Sequence, residues 1–359
     1  MKHLTATTHY FFAIAVSVVL FAAGLLAQVP PTPAPLPTRG PVVTPKVKMK
    51  TPKMPMPGEF PPGVEMGEGT TTERAIAVDP KVSVQLCVTQ GTVHVNGWGR
   101  NEVRAFVSDG SKFAFRVLEK SPKDPASPVL ISLVGLKQLP GGQVTSIDCI
   151  AGDDVELDIP ENATLSLKGR ETDTSIDSVR KVWVNNVGGD MIIRNVSQGV
   201  RASTYQGDVT VENSAGPMVL ESSSGNVVVY GAWPSEVGDA FRAKTNSGSI
   251  SLQKIGYRLT DVNSLSGTVY FAGELLSGAS FSFTTTNGAI RLAIPQQTSC
   301  KIAATYGFGN FSSDLPMKNL TDDVHPGPVK SVNSIMGTGD ATLKLSTSSG
   351  SIQIKKLEP

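Results

Sequence analysis

The side chains able to do covalent or metal chemistry are few and scattered. Four histidines occur, His3, His9, His94 and His325. Two of them stand near the N-terminus, and the other two are too far apart to offer the ligand spacing of a zinc site. No Cys-x-x-Cys is present, and no glycine-rich phosphate loop leads from a strand into a helix. The adjacent acids Asp153-Asp154 and Asp322-Asp323 lack the spaced Asp/Asn ladder of a calcium loop. They read as solvated turn residues. No catalytic, cofactor-binding or metal-binding residue is therefore assigned, and no cofactor is expected.

Three cysteines allow one bridge and leave one thiol. Cys300 shares a strand face with Ile302 and reads as a small buried apolar residue. Cys87 and Cys149 form the candidate disulfide. Its loop of about 60 residues would stabilise by about 4 kcal/mol in the chain-entropy account, provided the two Cα atoms come within about 7 Å. Independent free thiols are the alternative. A second candidate is the stretch after Phe311, where alternation lapses until Gly337. It carries Lys318, Asp322, Asp323, His325 and Lys330, a set suited to contacting a sugar or a protein. The same stretch also reads as an insertion covering an exposed sheet edge.

These residues are held by a chain of three textures. Residues 1–27 read as an export signal: Lys2 opens it, Tyr10 to Ala27 is apolar and uncharged, and Ala27–Gln28 offers a cleavage point. Left uncleaved, the same run is long enough to anchor in a membrane. Residues 28–74 read as a linker. Within Val29 to Pro62, 12 of 34 residues are Pro, which excludes helix and sheet interior and predicts a polyproline spacer about 100 Å long. Arg39, Lys46, Lys48, Lys50 and Lys53 make it basic. Residues 75–359 are predicted to be all β.

In that last region a unit recurs: Gly, any residue, apolar, any residue, apolar. Copies begin at Gly91, Gly189, Gly207, Gly225, Gly248, Gly267, Gly288 and Gly350. Period-two alternation puts the apolar pair on one face, and a second alternating strand precedes each glycine. No single copy of about 20 residues buries its own apolar face, so copies must stack and share a core. The pattern predicts a β-solenoid-like stack, with a β-sandwich of short hairpins as the structural alternative. A short helix near Ser235 to Ala240 is the one helical element the pattern allows.

Val82 to Val107, with Gly91-Thr-Val93-His-Val95-Asn-Gly-Trp98 at its centre, is similar to the opening of a bacterial candidate-adhesin family that carries the toast-rack β-repeat, a domain of unknown function. Asp154-Val-Glu-Leu-Asp-Ile159-Pro160 resembles its middle, and Gly337 to Ile354 resembles its closing signature. The resemblance implies an exported repeat domain and brings no catalytic residues. Lys plus Arg (32) nearly balance Asp plus Glu (31), which argues against a nucleic-acid partner.

The expectation is an exported, non-catalytic cell-envelope module, in the periplasm, on the surface or secreted. Its expected partner is an envelope polysaccharide or another envelope protein, with membrane contact only through an uncleaved N-terminal segment. A polysaccharide-active enzyme on a β-helix is the alternative. It would need paired acids on one face, whereas the outward residues after each glycine are Ile192, Thr210, Val228, Ser251, Tyr270, Arg291 and Gln353.

Overall fold

The computed structural model describes residues 60–61, 63–70, 72–108, 112–118, 129–151, 154–321 and 329–358. The export signal, and the linker as far as residue 59, lie outside them. Strand pairing begins at Val64–Glu65, inside the stretch read as linker, where Val64 aligns with Arg116.

The alternating pattern becomes strands whose inward columns are fully buried. Val209 and Val211 are 0% exposed, with Thr210 between them on the outer face. One coil runs through Val200–Gln206, turns at Gly207-Asp208, continues as Val209–Ala215 and returns as Met218–Ser224 of the next coil. Strands pair in parallel with their equivalents one coil away. Val182, Val200, Met218 and Phe241 therefore form one inward column of a first wall. Met191, Val209, Val227 and Ile250 form an inward column of a second wall. The outward residues after each glycine form one column, Ile192 to Gln353, as their spacing predicts. Long-range parallel pairing settles the fold as a toast-rack, solenoid-like stack, and the hairpin sandwich is excluded. Between residues 235 and 239 the chain forms a turn and no helix. The Asp239 carboxylate accepts the Ser235 and Glu236 N–H groups at 2.8 and 2.9 Å, fixing a tight reversal that a helix would have to open.

Two corners shape each coil. At the first, glycine is required chiefly by the neighbouring coil. A Cβ on Gly207 (φ 127°) would lie 2.2 Å from the Gly189 carbonyl oxygen, and one on Gly267 would lie 2.0 Å from that of Gly248. Beneath the corners from Gly225 to Gly288, and at Gly350, a buried hydroxyl three residues before the glycine donates to the adjacent coil's glycine carbonyl. Thr245 reaches Gly225 O at 2.9 Å, Ser264 reaches Gly248 O at 3.0 Å, and Thr285 reaches Gly267 O at 3.0 Å. These bonds give partly buried glycine carbonyls a partner within the stack. At the second corner Asn195, Asn213 and Lys254 adopt left-handed φ of 45–53°, a region where Asn is favoured among non-glycine residues. A short third side follows, where Ser214 and Ala215 pair with Ala232 and Trp233.

All walls feed one core, in which each fully buried Val, Leu, Ile or Phe contributes about 1.5–3 kcal/mol. Phe271, Phe281 and Phe283 fill its wide part, with ring centroids 5.4–6.2 Å apart.

The order of coils departs from the order of the sequence at both ends. Ser83–Trp98 lies between Thr164–Asp177 on one side and Leu130–Gln138 with Asp154–Pro160 on the other. Ala341–Ser349 lies between Ser280–Asn287 and Cys300–Phe308, and Ile352–Lys356 lies between Ile290–Ile294 and Phe311–Ser313. Antiparallel strands then close the stack. At one end Lys330–Met336 covers Cys300–Phe308, and at the other Glu102–Val107 covers Asp154–Pro160.

Candidate functional site

Cys87 and Cys149 are joined in a disulfide with a Cα–Cα distance of 4.4 Å. It tethers the outer face of the first wall to Ile150, whose N–H donates to Cys87 O at 2.8 Å. Cys300 is fully buried, and burial pushes its thiol pKa up to about 11.

Of the candidate contact set, Asp322, Asp323 and His325 lie outside the described residues. Lys318 and Lys330 are not brought together. Lys318 aligns with Ile335, five residues along the strand that begins at Lys330, a separation of about 17 Å. The Lys330 ammonium stands 5.8 Å from the Tyr306 ring centroid. The stretch read as lacking alternation holds two antiparallel strands here, Lys318–Thr321 and Lys330–Met336. Their pairing comes from the sheet edge they cover rather than from any apolar period of their own.

Acids do gather at the first corner, where they serve the backbone. The Asp173 carboxylate accepts Asp190 N–H at 2.9 Å, Asp190 accepts Asp208 N–H at 2.8 Å, and Asp208 accepts Asn226 N–H at 2.7 Å. Each carboxylate thus ties its coil to the next. His94 is exposed on the second wall, in register with Glu156 and Ser175. Among the described residues no group of three His, Cys, Asp or Glu side chains is arranged to hold a metal ion.

The outer face of the first wall has a different character. A shallow groove of about 280 Å³ crosses its strands, walled by Lys168, Trp183, Arg201 and Glu221 with Asn185 and Ser203 between. Trp183 is 50% exposed, and the Lys181 ammonium lies 5.6 Å from its ring centroid. Register places Arg201 and Arg242 in one outward column, two strands apart, and Lys168 and Lys244 in the column beside it. Glu221 aligns with Lys244 and Asp261 with Arg242, yet neither pair closes to ion-pair distance. Lys168, Arg201, Arg242 and Lys244 have no ion-pair or hydrogen-bond partner among the described residues.

On the second wall some cations are matched, and Arg291 is exposed without an ion pair. Arg194 donates to the Glu212 carboxylate at 2.8 Å, and Arg104 to that of Asp158 at 2.8 Å. The groove follows from the same period-two reading applied to the strand before each glycine, where every outward position can be listed. Only the outward positions after the glycine were read from the sequence.

The model of the Toastrack DUF4097 family matches residues 152–355, more than half of the 359-residue chain. Val82 to Val107 lies outside the matched residues. No curated protein matches the chain. A candidate cell adhesion protein of known structure from Clostridium sporogenes ATCC 15579 is 10% identical, with 79% of this chain and 98% of that one covered. Its TM-score is 0.25, and no argument rests on it.

Proposed function

The chain belongs to the Toastrack family, a domain of unknown function, and from that premise we propose an exported, non-catalytic module that binds a cell-envelope polymer or protein through its first wall. One observation carries the reading: a rigid, in-register sheet face presents Trp183 beside cations that no acid neutralises. Burying such groups against a partner gains charge pairing that the free protein leaves unmade. The acids Asp173, Asp190 and Asp208 at the first corner are engaged in backbone hydrogen bonds. The bridged Cys87 and Cys149 favour an oxidising compartment, in keeping with residues 1–27 as export signal, 28–74 as linker and 75–359 as the displayed domain.

The test is co-sedimentation of purified protein with isolated envelope fractions, beside a reducing-sugar assay on the same material. Retention without sugar release is expected. Sugar release would replace the reading with an enzyme, and no retention on any fraction would end it. Intact mass of exported protein should begin at Gln28. Retained Met1 would make the domain membrane-anchored.

A further inference from the structure

Around Trp183 the first wall gathers cations from three neighbouring strands. Lys181 precedes Trp183 by two residues on Lys181–Gly188, and its ammonium lies 5.6 Å from the indole centroid. Arg201 aligns with Trp183 from Val200–Gln206 on one side, and Lys168 aligns with Asn185 from Thr164–Asp177 on the other. Adjacent strands lie about 4.8 Å apart and a two-residue step covers about 6.6 Å, so all three cations branch from within about 10 Å of the Trp183 backbone. None of the three makes an ion pair among the described residues. Among the described residues lining the groove, Glu221 is the only acid.

A shortage of acceptors does not explain this. Arg180, next to Lys181 in the chain, donates to Asn162 O at 2.8 Å, to the Thr164 hydroxyl at 2.7 Å and to the Gln198 side-chain oxygen at 3.2 Å. The fold ties that cation down and leaves its three neighbours unpaired.

The surface between the charges suits a sugar ring. Trp183 is 50% exposed on a strand that is paired on both sides, so its indole stands on a fixed base. An exposed indole gives the apolar face of a pyranose a surface to pack on. Asn185, Ser203 and Glu221 line the groove and offer the donors and acceptors that ring hydroxyls need. The groove holds about 280 Å³, close to the lower bound of about 300 Å³ for small-ligand sites. Three cations against one acid favour a sugar that brings a negative charge of its own.

We propose that this part of the first wall is a subsite for one uronate-type pyranose of a glycan chain, its ring packed on Trp183 and its carboxylate paired with Arg201, flanked by Lys168 and Lys181. The proposal rests on the first wall being the binding surface and adds the sugar and its charge. The subsite takes one ring, so it accepts chains charged at every sugar or at alternate sugars. Its side chains stand on rigid paired strands, so little ordering opposes binding.

Titration calorimetry on the folded protein tests it with four probes. Two are acidic glycans, an octamer of galacturonate and a hyaluronan octasaccharide. Neutral cellohexaose offers rings without charge, and poly-glutamate offers carboxylates without rings. Both acidic glycans should bind more tightly than either control. Trp183→Ala, and separately Lys168→Gln with Arg201→Gln, should each weaken them about tenfold or more at unchanged melting temperature. Arg291→Gln, which removes an unpaired cation from the second wall, should leave binding within about twofold. Cellohexaose binding as tightly overturns the carboxylate, and poly-glutamate binding as tightly overturns the ring. Unchanged affinity in either first-wall variant overturns the subsite, as does an equal loss in Arg291→Gln. If the wild type ignores both acidic glycans yet is retained by envelope fractions, the ligand class falls and the binding reading stands. If it does neither, both fall.

Discussion

The first and second walls share one alternation and one core, and they differ in where their charges go. On the second wall Arg194 meets Glu212 and Arg104 meets Asp158. On the first wall Lys168, Arg201, Arg242 and Lys244 stand in solvent although Glu221 and Asp261 are one strand away. Exposed ion pairs contribute about 0–1 kcal/mol, so stability does not account for the difference. A matched surface offers an incoming anion little, and an unmatched one offers it everything the fold left over. The contrast is one of degree, since Arg291 on the second wall is also exposed without an ion pair.

The largest effect expected is on the tether of the first wall. Replacing Cys87 and Cys149 by Ser should lower unfolding free energy by about 4 kcal/mol in denaturant titration. Equal midpoints would mean that the bridge constrains nothing. Unreduced, denatured wild type should titrate one thiol, and native protein at pH 8 should titrate none, because Cys300 is buried with its thiol pKa raised to about 11.

Next is the corner that both walls share. Gly267→Val sets a branched side chain against the Gly248 carbonyl and should cost about 3 kcal/mol. Hydrogen exchange should rise on both walls together. Exchange confined to one wall would show that they fold as separate units.

Thr285→Val keeps the shape and removes the donor to Gly267 O. A cost of about 1–3 kcal/mol is expected in the same titration, the scale of an abandoned buried acceptor. No change would assign the hydroxyl ladder to packing alone.

The smallest effects sharpen the contrast most. Arg194→Gln on the second wall should shift stability by about 0.5 kcal/mol and leave envelope retention intact. The Arg201→Gln, Arg242→Gln pair on the first wall should leave the melting temperature alone and lose retention. The reverse outcome would exchange the roles of the walls.

Much of this architecture was legible before any coordinates. Glycine followed by two alternating apolar residues marks the second-wall strands from Met191–Arg194 to Ile290–Ile294 and again Ile352–Lys356, and the outward column from Ile192 to Gln353 follows by counting. That period is local, and local physics sets it. The ladder of Thr245, Ser264 and Thr285 was also present, as a small hydroxyl three residues before Gly248, Gly267 and Gly288. Its meaning needed the carbonyl of a different coil. The left-handed corner at Asn195, Asn213 and Lys254 has no common residue type and leaves no motif. Of the candidate contact set, Lys318 and Lys330 are held apart by an antiparallel register that no linear pattern encodes. The groove at Trp183 combines outward residues of successive coils, so it exists only once the stacking order is known.

That order bears on how the stack takes a load. A linear repeat array yields from its ends, because the terminal copy is held on one side only. Here the last copy in the sequence, Ala341–Ser349 with Ile352–Lys356, is bonded on both sides. The copy nearest the N-terminus, Ser83–Trp98, is likewise enclosed. A pull from beyond Lys356 therefore enters the stack at an interior layer. Releasing that layer means breaking two hydrogen-bonded ladders at once, where peeling an outermost strand would break one. Tension applied there meets this interleaving before it reaches an outermost strand.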